Sequence, residues 1–196
     1  MAVPSHAALP GDKLSLRRLA RERRSAFVQS LDRDAKNTLE LQLADVIDPL
    51  LENSRVTGGY CPMPVEISPL PALQRAESRG VTISFPTFVD HGSDFRFHAG
   101  ELDEEGPWGV FQPSIESPLV FPDLVLVPLV AIDRHGTRLG QGKGHYDRVL
   151  GGLREHGALL IGLGWQVQLL DETIPTDPWD VPLDGFASPD GLEMFR

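Results

Sequence analysis

Residues 124–127, Leu-Val-Leu-Val, are apolar without interruption and are closed by Pro128. A run this short, with no alternation, reads as a central strand buried on both faces. The stretch 158–163 (Ala-Leu-Leu-Ile-Gly-Leu) repeats the signal. Such strands need covering layers on either side, and the rest of the chain supplies helices. Leu16, Leu19, Ala20, Phe27 and Leu31 recur at three- and four-residue steps, predicting a helix over 13–31 with Asp12 as its N-cap. Leu39, Leu43, Val46, Ile47 and Leu50 form the apolar face of a second helix, from about Asp34 to near Asn53.

Beyond these helices the texture changes. A short apolar run over 56–61 precedes a proline-rich segment (Pro62, Pro64, Pro69, Pro71) and a short helix ending near Arg79-Gly80. Further strands are expected over 81–85, over 95–98 at an edge, and over 108–111. Residues 146–155 are expected to be helical, with Gly151-Gly152 weakening the end. The proline-rich stretch 174–189 reads as irregular. Helices alternating with short apolar strands predict an α/β fold, a three-layer sandwich with a mainly parallel central sheet. The expected organisation is a frayed tail over 1–11 and one domain over 12–196.

Composition narrows the function classes. Hydrophobic residues at 41% and charged residues at 23% suit a soluble globular protein. No apolar run approaches the roughly 18 residues of a membrane span, and the first residues lack the pattern of a secretory signal. The single cysteine, Cys61, excludes an internal disulfide and suits a reducing, cytoplasmic setting. A formal net charge of -10 argues against nucleic-acid and anionic-membrane partners. Residues 13–24 depart from that balance, with Lys13, Arg17, Arg18, Arg21, Arg23 and Arg24 against Glu22 alone. Lys13, Arg17 and Arg21 stand four residues apart and share one helical stripe. The stripe is either a solvated face or a site for a small anion.

The segment 131–148 holds the densest chemistry. Gly140, Gly142 and Gly144 alternate with Gln141 and Lys143 between a buried strand and a helix, just after Arg138-Leu139. Glycines let backbone amides approach a phosphate, and the following helix N-terminus adds positive potential. Arg138 and Lys143 would neutralise the anion. Asp147, in the helix's first turn, suits a Mg²⁺ held by one or two carboxylates together with phosphate oxygens. The loop is not a P-loop of the Walker A type, since Thr137 and Gly144 stand where glycine and Ser/Thr are required. Taken alone, it also reads as a flexible turn with basic surface residues.

The segment resembles the signature of 5-formyltetrahydrofolate cyclo-ligases, approximately AFDxxGxRLGxGKGYYDR. The resemblance covers nearly the whole chain, in four blocks in the correct order. Lys13 and Arg17 match the family's N-terminal basic helix, which the resemblance assigns to ATP phosphates. The segment from Tyr60 through Cys61 to Glu66 matches the one whose glutamate contacts the folate. Trp108, with Gln112-Pro113, matches an element bordering the folate pocket. Gln168 and the segment Ile174 to Asp180 match the C-terminal pattern whose aspartate, here Asp180, is the second carboxylate associated with Mg²⁺.

The resemblance implies cyclisation of 5-formyltetrahydrofolate to 5,10-methenyltetrahydrofolate with ATP and Mg²⁺. The formyl oxygen takes the γ-phosphoryl group, N10 adds to the activated carbon, and phosphate leaves. Lys143, Arg138 and Tyr146 are the expected catalytic residues. Lys13, Arg17 and the stretch from Arg138 through Leu139, Gly140, Gln141, Gly142, Lys143, Gly144 and His145 to Tyr146 are expected at the nucleotide. Cys61, Glu66, Trp108 and Tyr146 are expected at the folate, and Asp147 and Asp180 at the metal. Small molecules are the expected partners, with the chain a monomer or weak homodimer.

Two residues depart from the family pattern. Ile132 replaces a phenylalanine, and His145 replaces the first aromatic of a Tyr-Tyr-Asp triplet. Asp123 and Asp133, flanking the central strand, read as structural. His91, His98, His135 and His156 are dispersed and carry no assigned role. The alternatives are a family member with another substrate and a non-catalytic folate- or nucleotide-binding regulator.

Overall fold

The computed structural model describes residues 12–195, so the expected tail over 1–11 lies outside the described residues. Asp12 opens α1 (Lys13–Gln29) by accepting from the amides of Leu14 and Ser15, both at 2.9 Å. Asp32 caps α2 (Arg33–Glu52) in the same way through Ala35. The chain continues through β1 (Val56–Gly58), α3 (Leu70–Ser78), β2 (Thr82–Thr87), β3 (Arg96–Ala99), β4 (Glu104–Glu105) and β5 (Phe111–Gln112). Next come β6 (Leu124–Pro128), β7 (Ala131–Asp133), β8 (Arg138–Leu139), α4 (His145–Glu155), β9 (Leu159–Leu163), β10 (Leu169–Leu170), β11 (Gly185–Ser188) and β12 (Gly191–Met194).

Seven strands form the main sheet in the order β12-β11-β9-β6-β1-β2-β3. The five inner strands run parallel, and β3 and β12 pair antiparallel at the two edges. Helices α2 and α3 cover one face, where Leu43, Ile47, Ala72 and Leu73 meet Leu124, Leu126 and Ile161. Helix α4 covers the other, where Leu150 and Leu153 meet Val125, Val127 and Leu160. Successive residues of β6 therefore feed two separate cores, which is why the run is apolar throughout. Burying each leucine, isoleucine or valine among them contributes about 1.5–3 kcal/mol.

The topology also sets where a ligand can enter. From β1 the chain steps through α3 to β2 on one side, while β6 joins β1 on the other and leads through α4 to β9. The winding thus reverses between β1 and β6, and a crevice opens outside the carboxyl ends of parallel strands at such a point. A small sheet, β10-β7-β8, follows directly from the end of β6. Leu16 and Ala20 of α1 pack into it against Val130, Ala131, Leu139, Leu170 and Ile174. That packing sets the basic helix beside the mouth of the crevice.

Three local expectations need correction. The segment 108–111 is not one strand: Pro107–Gly109 is a 3-10 turn and only Phe111–Gln112 pairs. Pro107 fixes its φ and lacks an amide, and Gly109 sits at φ +69°, so the chain turns before it extends. The stretch 174–189 is not wholly irregular, because β11 runs parallel to β9 inside the main sheet. Its Gly-Phe-Ala-Ser sequence has no β-branched residue to announce it. Of the apolar run over 56–61, only Val56–Gly58 pairs, and the chain then carries Tyr60 and Cys61 out to the crevice. Among the described residues no helix is long and apolar enough to cross a membrane.

Candidate active site

The crevice has a volume of about 680 Å³. One half is polar, walled by α1, the loop after β8 and the segment 177–180. The other is largely apolar, walled by Tyr60, Met63, Phe85, Phe88, Val110 and Phe111. Ligand cavities of this size commonly combine apolar walls with a few placed polar groups.

The polar half is built on α1. Its stripe lies along the glycine-rich loop: Arg17 Nε donates to the Gly140 carbonyl at 3.2 Å, and Arg21 Nη2 donates to the carbonyl and the side-chain oxygen of Gln141. Lys13 bridges the carboxylates of Asp177 and Asp180. Burial pulls the Lys13 ammonium down, yet the two aspartates together hold it above the ordinary lysine value. Gly142 and Gly144 sit at φ +95° and +69°, a backbone that side chains rarely adopt. Gly144 leads straight into α4, so the amides of that helix's first turn border the loop. Lys143 is exposed between them.

Arg138 lies buried at the base of the loop. It donates to Asp147 Oδ1 at 2.8 Å and to the Val181 carbonyl, and its guanidinium stands 6.0 Å from the Tyr146 ring centroid. Tyr146 packs edge-on against Phe95. Burial first, then the nearby Glu66 carboxylate, push its phenol well above the ordinary tyrosine value, so it stays protonated and can donate. His145 meets Phe88 edge-on, and its Nδ1 lies 2.9 Å from Arg148 Nη2. A guanidinium only donates, so Nδ1 is the acceptor of that bond. Burial, then Arg148 and Lys143, lower the imidazole below its ordinary value, with Asp94 opposing.

On the apolar side Glu66 is nearly buried. Its Oε2 accepts from the Met63 amide at 3.0 Å, and its Oε1 lies 3.4 Å from Gln141 Nε2 and 3.8 Å from Arg24 Nη1. Trp165 anchors the same loop by donating from Nε1 to the Val65 carbonyl. Burial raises the Cys61 thiol, which therefore acts as a small uncharged wall residue.

The structure thus gathers Lys13, Arg17, Cys61, Glu66, Arg138, Gly140, Gln141, Gly142, Lys143, Gly144, His145, Tyr146, Asp147 and Asp180 around one crevice. Leu139 is not among the wall residues. Its side chain is fully buried in the cluster under α1, and its carbonyl accepts from the Val130 amide. The side chain of Trp108 lies outside the described residues, although its neighbours Pro107 and Val110 line the cavity. Gln168, matched to the C-terminal pattern, is a structural tie, donating to the carbonyls of Leu129 and Val130 and accepting from the Trp165 amide.

Sequence reasoning gave no site role to Asp177 or Trp179. Asp177 and Trp179 line the crevice within the same short segment as Asp180, and Trp179 is 68% exposed. Their density of acidic and aromatic residues was the available signal. Gln112, which was noticed only as a pattern residue, exchanges two 3.0 Å hydrogen bonds with the backbone of Phe88 and so joins β5 to the chain after β2.

Among the described residues no group of three or more histidine, cysteine or acidic side chains is arranged to hold a metal. The donor set nonetheless fits Mg²⁺ in the presence of phosphate. Magnesium takes one or two carboxylates and completes its shell with phosphate oxygens and water. Asp147 and Asp180 both border the crevice, each now paired with a cation that a phosphate could draw away.

Comparison with known proteins gives one consistent result. Residues 11–189 match the 5-formyltetrahydrofolate cyclo-ligase family. A 5-formyltetrahydrofolate cyclo-ligase of Haemophilus influenzae is 38% identical over 84 residues, 41% of this chain and 44% of that protein. The match therefore spans less than half the length of that relative. One from Mycoplasma genitalium is 28% identical over 176 residues, 88% of this chain and 95% of its own length. Among solved structures, a 5,10-methenyltetrahydrofolate synthetase of Aquifex aeolicus superposes with a TM-score of 0.78 at 26% identity, covering 94% of this chain and 93% of that one. A synthetase of Mycoplasma pneumoniae gives 0.71 at 23% identity, covering 91% and 99%, and shares the fold.

Proposed function

The chain belongs to the 5-formyltetrahydrofolate cyclo-ligase family, and on that premise we propose that it cyclises 5-formyltetrahydrofolate to 5,10-methenyltetrahydrofolate at the expense of ATP. The observation that carries this reading is a single crevice in which a basic, glycine-lined half adjoins an apolar half ending on a nearly buried carboxylate. Triphosphate suits the first half and a flat pterin suits the second.

The chemistry explains the need for ATP. A formyl carbon on N5 is amide-like and weakly electrophilic, and closing the ring must expel its oxygen. In the proposed sequence that oxygen attacks the γ-phosphorus and the bond to ADP breaks. N10 then adds to the carbon, its proton passes to an oxygen of the departing phosphate, and the C–O bond breaks with release of phosphate. For such a transfer the protein supplies position and charge. Lys13, Arg17, Arg138 and Lys143 carry the counter-charge, and the 140–144 backbone follows the phosphates. Glu66 accepts from the donor edge of the pterin, while the protonated Tyr146 phenol offers a donor close by. Asp147 and Asp180 would hold Mg²⁺, which when bound neutralises phosphate charge. No side chain is required as a general base.

This reading is of a cytoplasmic enzyme, monomeric or weakly dimeric, acting on small molecules. The test mixes purified protein with 5-formyltetrahydrofolate and Mg²⁺, with and without ATP, and follows the methenyl absorbance band. A rise that needs both ATP and Mg²⁺ is expected. ATP binding without any rise would move the assignment to a nucleotide-binding regulator or to another substrate.

A further inference from the structure

Arg24 is the one member of the basic run that turns away from solvent. It lies three residues beyond Arg21 and so extends the Lys13, Arg17, Arg21 stripe of α1, yet it is only 3% exposed. Its Nη1 donates to the Leu129 carbonyl at 3.1 Å and stands 3.8 Å from Glu66 Oε1. Its Nε is buried with no hydrogen-bond partner among the described residues. An arginine tolerates this placement only where a compensating charge is near. Burial lowers the guanidinium below its ordinary value, and the negative charge of Glu66 is what chiefly opposes that fall.

Seen from Glu66, the arrangement is directional. The Met63 amide holds Oε2. Arg21 fixes the Gln141 amide by donating to its oxygen, which turns Gln141 Nε2 towards Oε1. Arg24 stands on the same oxygen from inside the protein. A carboxylate offers about four acceptor sites, and these contacts leave some of them directed to the crevice.

We propose that Arg24 is a positioning residue for substrate recognition: from within the core it holds the Glu66 carboxylate aimed into the crevice, so that Glu66 can accept from the donor edge of the pterin. The claim rests on the folate reading given above. Arg24 touches no ligand and acts only through Glu66. Helix α1 then serves both halves of the site, with Lys13 and Arg17 at the phosphate end and Arg24 behind the folate end.

The test is a double-mutant cycle on the full chain, read both by steady-state methenyl formation and by calorimetric binding of 5-formyltetrahydrofolate without ATP. Arg24→Met should raise KM for the folate, and its calorimetric Kd, by about 10- to 100-fold. kcat and the KM for ATP should stay within about threefold. Arg24→Lys, which keeps the cation, should recover most of the loss. In a Glu66→Gln background Arg24→Met should add less than about twofold. Equal changes in both KM values, or a full-sized effect of Arg24→Met on top of Glu66→Gln, would overturn the proposal. If Arg24→Met fails to fold, the cycle is run with Arg24→Lys: its smaller effect should vanish beside Glu66→Gln, and persistence would overturn the claim. A parent protein that binds no 5-formyltetrahydrofolate would refute the folate reading itself, and this inference with it. A parent that binds normally while the Arg24 variants match it would refute the inference alone.

Discussion

Replacing Asp133 with asparagine tests how the crevice wall is anchored. Asp133 ends β7 and is 1% exposed. Its Oδ1 accepts from the amides of His135 at 2.9 Å and Thr137 at 3.0 Å, and its Oδ2 accepts from the Ile174 amide at 2.8 Å. Asparagine keeps the shape. Its oxygen can retain the first two bonds, but its NH₂ then faces the Ile174 N–H, donor against donor. A hydrogen bond to a charged group contributes about 1.5–3 kcal/mol, and a buried donor left unmet costs about 1–3 kcal/mol. With some recovery from no longer burying a charge, a net loss of about 2–4 kcal/mol is expected. For a chain of this size that lowers Tm by about 4–16 °C. Ile174 begins the segment that brings Asp177 and Asp180 to the crevice, so the KM for ATP should rise while that for folate holds. Calorimetric melting and steady-state kinetics on the same preparation give both numbers. A Tm within about 2 °C of the parent with an unchanged ATP KM would refute the anchoring argument.

Other expectations follow from the same contacts. Lys143→Ala should lower kcat by about 100-fold or more while leaving Tm unchanged; turnover within a few-fold of the parent would remove the lysine from phosphate stabilisation. Asp147→Asn should raise the Mg²⁺ concentration needed for half-maximal rate, and an unshifted metal titration would exclude Asp147 from the metal site. Asp123 accepts from the Ser54 hydroxyl and from the amides of Arg55 and Val56. Burial pushes its carboxyl up, but these bonds together hold it below the ordinary aspartate value. A depressed carboxyl stabilises above its unfolded value, about pH 4, and the gain disappears as pH falls through the folded value. Urea unfolding should therefore show Asp123→Asn weaker than the parent at about pH 6, with the gap closing below about pH 4. A gap that stays constant from about pH 6 to about pH 3 would contradict the titration argument.

How far the sequence spoke depended on whether a signal was local. The β6 run was legible because burial on two faces leaves no room for a polar side chain, whatever the neighbours. The Lys13, Arg17, Arg21 stripe and the alternating glycines were legible because helical spacing and backbone freedom are properties of the segment itself. β11 was not, since Phe186 and Ala187 owe their burial to β9 and to the layers above and below. Arg24 was hidden for a similar reason. Within a run of basic residues nothing marks the one that points inward, and only the approach of Glu66 from a distant loop makes an interior place for it. Leu139 shows the opposite case: it sits between two crevice-lining neighbours, but strand alternation turns its side chain into the core.

The ion pairs of the crevice have a thermodynamic consequence. Lys13 is shared by Asp177 and Asp180, and Arg138 is engaged by Asp147. A phosphate arriving on those cations therefore exchanges partners and does not add to a bare positive surface. Under the proposed reading, the aspartates released by that exchange are the ones available to a divalent cation. Nucleotide alone would strand them beside its own negative charge, and metal alone would have to compete with the lysine and the arginine. The two ligands must then strengthen one another's binding by the same factor, because linkage between equilibrium affinities is reciprocal. Under that reading the internal salt bridges act as placeholders that set the site's resistance to either ligand arriving by itself.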